Sequence, residues 1–272
     1  MRNRQTLLIF LLCALALAFA LTARTGAAEE RLDVSQMDGA QEAALYLSLL
    51  DALEEAPMLS MGGEWTYPIS YELLTTSGYL VLANKDSLLS EDYIPEDLVD
   101  LTCRKITYDP IQMRETAASA LSEMFDAASA DGVTLYAHSG YRSYRTQNTM
   151  YYNRLQSHNG KDDGVVQYPG ASDHQTGLGI DVINKSGIGK RFTNAFADTK
   201  EGKWIAEHCW DFGFILRYQK DKEDITGITY ESWHLRYVGV QIAQYMRDRN
   251  LCLEEFTDEW RAAVAAYEGV TL

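Results

Sequence analysis

The chain has 272 residues, 46% apolar and 23% charged, enough for one sizeable folded body with appendages. Its 24 Lys and Arg stand against 39 Asp and Glu, a formal net charge of −15. That balance argues against nucleic-acid partners and against broad docking on anionic lipid, both of which need basic surface.

The N-terminus reads as an export segment. Arg2 and Arg4 precede an apolar run from Leu7 to Leu21, and mostly small residues follow, ending in Gly26-Ala27-Ala28 before Glu29-Glu30. That order is what a secretory signal has, with Gly26 and Ala28 as the small pair before cleavage. An uncleaved single membrane anchor over Leu7–Ala23 is the competing reading, close to the lower length limit for a span. Either way residues 1–28 direct the bulk of the chain out of the cytoplasm. The remainder keeps Cys103, Cys209 and Cys252, an odd number that allows at most one internal disulfide, and no CxxC pair is present.

Residues 29–75 read as an acidic helical stalk followed by a linker. Ala43, Tyr46, Leu47, Leu50 and Leu53 recur at helical spacing, while Gly62, Gly63 and Pro68 punctuate 58–75. A body follows over 76–250. Strands are expected at Tyr79–Asn84, Val133–Ala137, Leu178–Ile183, Phe214–Tyr218 and Trp233–Val238, with an extended loop at Tyr93–Leu98. Helices are expected at Arg114–Ala130, Ser143–Gln156, Lys200–Phe212 (stopped by Gly213) and Val240–Asp248. Residues 251–272 supply a last helix that packs on the body through Phe256, Trp260, Val264 and Tyr267. Elements mix without a βαβ rhythm, so the expected class is α+β, an antiparallel sheet with flanking helices.

Three segments carry chemistry. In Ser172-Asp173-His174-Gln175-Thr176-Gly177-Leu178-Gly179-Ile180-Asp181, a His and an Asp stand seven apart, and the Asp lies inside an apolar strand-like run. A carboxylate there must be paired or liganded, because burying a bare charge is costly. Glu231-Ser232-Trp233-His234 adds a second imidazole at the start of another strand. His174, Asp181 and His234 together form a common catalytic zinc set with a fourth position open for water, and Glu231 beside them can take a proton from that water. The third segment, Ser139-Gly140-Tyr141-Arg142-Ser143-Tyr144-Arg145-Thr146-Gln147, leaves a strand and enters a helix that Ser143 can cap. Arg142 at that junction can reach a cleft and stabilise an oxyanion. Taken singly, each residue has a plainer reading: a satisfied core His, an Asp bonded to backbone amides, a surface Glu, a structural Arg. His138, His158 and His208 keep that plainer reading.

Taken together, S-x-H-x-x-G-x-[AG]-x-D, E-x-W-H and S-G-Y-R-S resemble the VanY-type D-alanyl-D-alanine carboxypeptidases, in the zinc peptidase group that includes VanX dipeptidases and the hedgehog-like fold. The resemblance runs from about Leu80 to Gly239 and includes Asn84-Lys85, Tyr93–Leu98 and Phe214-Ile215-Leu216-Arg217-Tyr218. It implies one zinc ion per chain on His174, Asp181 and His234, Glu231 as base, and Arg142 as transition-state stabiliser. Ser172, Gln147, Tyr141 and Trp233 are implied to contact substrate, namely peptidoglycan stem peptides ending in D-Ala. Ser232 and Gln219 stand where the family often has Pro, which touches loop shape and no ligand. An L,D-carboxypeptidase or a D,D-dipeptidase on the same wall peptides is the alternative within enzymes; a non-catalytic zinc-containing binding module is the alternative outside them. Neither S-x-x-K nor H-E-x-x-H occurs, against a serine carboxypeptidase and a zincin.

Overall fold

A computed structural model describes residues 58–61 and 67–269. The expected export segment 1–28 and the expected stalk 29–57 lie outside the described residues, and among the described residues no helix is long and apolar enough to cross a membrane.

The segment expected as a linker carries structure. Strands β1 (Met58–Met61) and β2 (Tyr67–Ser70) pair, and helix α1 (Tyr71–Thr75) follows at once. Leu59, Met61, Ile69 and Leu74 are buried in the main core, so folded structure begins before residue 76. Pro68, one of the residues that suggested a linker, lies within β2, while Gly62 and Gly63 lie outside the described residues.

Tyr79–Asn84 forms no strand; the described backbone there makes one isolated bridge, Asn84 to Ser87. Its carbonyls are taken by a side chain instead: Arg236 Nη2 donates to the carbonyls of Tyr79 (2.8 Å) and Val81 (2.7 Å). Two short strands escaped the sequence reading, β3 (Leu98–Asp100) and β4 (Gln112–Arg114), paired antiparallel. Three-residue strands are too short to show a period.

The remaining elements match the expected ones to within a few residues. Helix α2 spans Glu115–Ala130 and buries Ala117, Leu121, Met124, Phe125 and Ala128. Strand β5 is Tyr136–Ser139, and helix α3 (Tyr144–Ser157) is capped by Ser143, whose Oγ accepts from the Thr146 amide. Strand β6 is Gly179–Ile183; helix α4 (Lys200–His208) passes into a 3-10 turn ended by Gly213 in the left-handed region. Strand β7 (Phe214–Leu216), a short helix α5 (Glu223–Thr226), strand β8 (His234–Tyr237), and helices α6 (Val240–Asp248) and α7 (Leu253–Glu268) complete the described chain. In α7, Phe256 is buried while Trp260 and Val264 pack partly buried against the core. Tyr267, expected inward, is 56% exposed, with its ring against Tyr71 of α1, while Ala265 of the same turn is the residue buried there. Cys103, Cys209 and Cys252 are all free thiols.

The main sheet runs β5-β6-β8-β7, every pair antiparallel. This is the expected α+β class. Its two central strands are buried throughout, since helices and loops cover both faces.

Candidate metal centre and catalytic cleft

The pairing of β6 with β8 sets Asp181 directly opposite His234 and Gly179 opposite Arg236. Successive side chains point to opposite faces. Asp181, His234 and Arg236 therefore share one face, while Ile180, Val182 and Leu235 fill the core on the other. A bulge between Ala137 and Ser139 shifts the pairing on β5, so that Ala137 pairs with Val182 and Ser139 with Asp181. That irregularity turns Ser139 onto the polar face; in regular alternation it would share the face of Ala137.

His174 comes from a 3-10 turn, Asp173–Thr176, closed by Gly177 at φ 69°. Its Nδ1 donates to the Gly140 carbonyl at 2.9 Å, which leaves Nε2 facing Asp181 Oδ2 at 3.5 Å. Gly140 is forced by space, because a Cβ there would sit 2.3 Å from the Gln112 carbonyl oxygen. His234 Nδ1 lies 2.9 Å from Asp181 Oδ1. One ligand atom from each of His174, Asp181 and His234 falls within 4.8 Å of the others, and all three residues are buried. Two nitrogens and one oxygen about 2.1 Å from a tetrahedral ion stand about 3.4 Å apart. The donor set and its spacing therefore fit zinc after small adjustments.

The far side of His234 holds what the sequence reading missed. Its Nε2 lies 3.4 Å from Asp173 Oδ2, a fully buried carboxylate that also pairs with Arg236 Nη1. Arg217 Nε approaches the same Asp173 at 3.7 Å, and Arg217 in turn is gripped by Glu254 of α7 through two bonds of 2.7 and 2.8 Å. A metal-bound imidazole ordinarily gives its second N–H to a carboxylate, and Asp173 stands in that place. Only its position next to His174 hinted at this, since Arg217, Arg236 and Glu254 lie far from it in sequence.

The cleft over this cluster has room for about 410 Å³, within the range usual for small-ligand sites. Arg142, Gln147, Ser172, Glu231 and Trp233 all line it with the three candidate ligands. Tyr141 does not line it; its amide is bound by the Gln112 carbonyl as the chain passes β4. Arg142 donates from Nη1 to Gln147 Oε1 (2.9 Å) and from Nη2 to Ser139 Oγ (3.0 Å). Gln147 Nε2 donates onward to the Gln167 carbonyl, so the guanidinium is aimed before any ligand arrives. Trp233 stacks on Phe192 at 5.2 Å and 15°, forming one wall.

The charges in the cleft are held in different states. Burial pushes the Glu231 carboxyl up from 4.5 to about 7, helped by Asp181 and opposed by His234 and Arg142. Burial and the nearby Arg142 push His174 down to about 3, which keeps it neutral and able to ligate. Burial also penalises the charged form of His234, but its bonds to Asp173 and Asp181 outweigh this and raise it to about 10. Burial pushes Asp173 up, yet Arg236, His234 and Arg217 hold it well below the usual carboxylate range. Asp181 is lowered by His174 and His234 against the same burial penalty.

Residues 110–240 match the family model of VanY, D-alanyl-D-alanine carboxypeptidase. The putative carboxypeptidase YodJ of Bacillus subtilis (strain 168) is 43% identical over 184 residues, 66% of this chain and 67% of that protein. The chain belongs to the VanY family. A D-alanyl-D-alanine carboxypeptidase of Enterococcus faecium is 34% identical over 66% of this chain, a match that spans 58% of that relative's length. Among solved structures, the LdcB LD-carboxypeptidase superimposes with a TM-score of 0.63 at 38% identity, over 74% of this chain and 94% of that one. A variant of the vancomycin-resistance D,D-pentapeptidase VanY in complex with Zn(II) gives a TM-score of 0.55 at 31% identity, over 66% of this chain and 98% of that one. The VanY-family match ends at residue 240, short of α7 and its Glu254.

Proposed function

We propose that this chain is a zinc carboxypeptidase that removes the terminal D-Ala from peptidoglycan stem peptides. It acts outside the cytoplasm, exported or tethered by residues 1–28. The observation that supports this best is the gathering of a His-Asp-His donor set, a raised carboxyl and an aimed guanidinium in one cleft of a VanY-family chain. His174 Nε2, an Asp181 oxygen and His234 Nδ1 would hold the metal. Zinc bound there supplies Lewis acidity, which makes water a competent nucleophile near neutral pH.

The chain's own residues do the rest. Glu231 takes the proton of the attacking water and returns it to the leaving amine; a carboxyl poised near neutrality suits both transfers. Arg142, fixed by Ser139 and Gln147, donates to the oxyanion that develops on the scissile carbonyl. Ser172 and Gln147 line the cleft near Arg142 and contact the terminal residue, and the Trp233–Phe192 wall faces the peptide.

The likeness to LdcB favours a second reading, an L,D-cut that releases D-Ala from a tetrapeptide. Incubation with pentapeptide and tetrapeptide stems, followed by mass spectrometry with and without a chelator, separates the two. Loss of one D-Ala from the pentapeptide alone supports the D,D-cut, and loss from the tetrapeptide supports the L,D-cut. Zinc-independent cleavage, or none on either stem, would overturn the proposal.

A further inference from the structure

The last helix sits outside the VanY-family match, yet it reaches the metal centre through an unbroken line of charges. Glu254 stands in the first turn of α7, anchored by buried Leu253, Phe256 and Thr257. Its two oxygens take both terminal nitrogens of Arg217 at 2.7 and 2.8 Å. Arg217 is fully buried, and its Nε has no hydrogen-bond partner among the described residues; Asp173 is the nearby carboxylate, at 3.7 Å. Asp173 holds His234 Nε2, and His234 Nδ1 faces the metal position. Asn84 braces the outer end, its Nδ2 donating to Glu254 Oε1 at 3.1 Å.

We infer that Glu254, acting through Arg217 and Asp173, is a positioning residue for the zinc ligand His234, and that α7 is thereby a working part of the metal centre. Three donors compete for Asp173. Two buried guanidiniums, Arg217 and Arg236, and one imidazole converge on a single carboxylate. Arg236 already pairs with Asp173 through Nη1, and its Nε and Nη2 are taken by the carbonyls of Tyr79, Val81 and Tyr237. Arg217 is held back by Glu254 alone among the described carboxylates other than Asp173. Bidentate carboxylate–guanidinium pairs are strong and fix geometry. When Glu254 loses its charge, Arg217 swings its unpaired donors to Asp173 and draws the carboxylate off His234. The imidazole then loses the acceptor that sets its ring orientation and raises its basicity as a ligand. The same chain of contacts gives Asn84, part of the Asn84-Lys85 pair singled out in the sequence, a role as outer brace.

This inference rests on the zinc reading of the site, and the two can fail separately. The measurement is the zinc dissociation constant of the full chain by competition with a chromogenic chelator, with folding checked by circular dichroism. Wild type that binds no stoichiometric zinc removes the reading itself. Given tight binding by wild type, Glu254→Gln is expected to weaken zinc on the order of 10-fold, the low end of the effect of losing a group that bonds a ligand, since Glu254 acts through Arg217 and Asp173. Glu255→Gln is the control: Glu255 caps the Cys252 amide and pairs with Lys222, so it serves the same helix without touching Arg217. It is expected to stay within about twofold of wild type, because no group behind a ligand is lost. A Glu254→Gln protein that folds and binds zinc within about twofold of wild type overturns the inference, as does an equal loss in Glu255→Gln, which would mark a general effect of helix docking. Should Glu254→Gln fail to fold, Asn84→Ala carries the test, with a smaller loss expected and an unchanged constant counting against the inference.

Discussion

Two regions of this chain were both expected to be strands, and only one is. The β6–β8 pair alternates as a sheet should, and its pairing delivers Asp181, His234 and Arg236 to a common face. Tyr79–Asn84 has the same apolar character, buries Leu80 and Ala83, and still makes no ladder. Its carbonyls are satisfied by Arg236, a side chain of the first region. Buried backbone must be hydrogen-bonded, and the partner need not be another strand. The lesson is a division of labour. The sheet carries two of the three candidate metal ligands, Asp181 and His234; residues 67–84 contribute core and hold Arg236 behind them.

That division can be broken by experiment. The largest effect is expected at Glu231: Glu231→Gln should lose on the order of 10²- to 10⁴-fold in kcat while retaining zinc. Turnover near wild type in a metal-loaded variant removes the base assignment. Next, Arg142→Ala should lose about 10²- to 10³-fold in kcat, as for one oxyanion donor, with a thermal midpoint close to wild type; a change confined to KM would instead place Arg142 in ground-state binding. Ile69→Ala tests the other region. Ile69 is wholly buried in a stretch expected to be a linker, and its truncation should cost about 2–5 kcal/mol of stability with little change in kcat per folded molecule. An unchanged denaturation midpoint would return 58–75 to the status of linker. Ser143→Ala, which removes the α3 cap, should cost about 1 kcal/mol, and little activity, as read by urea denaturation.

A pH experiment on metal-free protein sharpens the same contrast. The folded-state pKa of Glu231 is raised from 4.5 to about 7, so between those values the folded chain binds the proton that the unfolded chain has lost. Stability from this group therefore falls as pH rises from about 4.5 to about 7 and is flat above. Glu231→Gln should accordingly raise the melting temperature at pH 8 relative to wild type and leave it unchanged at pH 4. An equal gain at both pH values would trace the effect to packing and not to charge.

Much of the candidate site was legible in the sequence. A carboxylate in an apolar run, a second His beside a Glu, and an Arg at a strand-to-helix turn each demanded a chemical reason, and one mechanism supplied all three. Tyr141 lies in the right motif but does not line the cleft beside Arg142; its amide donates to the Gln112 carbonyl. Asp173 was overlooked although it sits between two residues that were singled out, because its role depends on Arg236, Arg217 and Glu254.

The sequence by itself determined most of the helices and the central strands and pointed to the candidate site residues, since periodicity, caps and residue chemistry are local properties. It marked His174, Asp181, His234, Glu231 and Arg142 as candidates, and it set the antiparallel α+β class of the body. Tertiary structure decided which carbonyls Arg236 would satisfy, how the bulge at β5 would turn Ser139 toward Arg142, and that a glutamate of the last helix would hold the arginine behind a metal ligand. Those contacts join residues up to 157 positions apart. Their energies come from burial and pairing in three dimensions, and no local pattern encodes them.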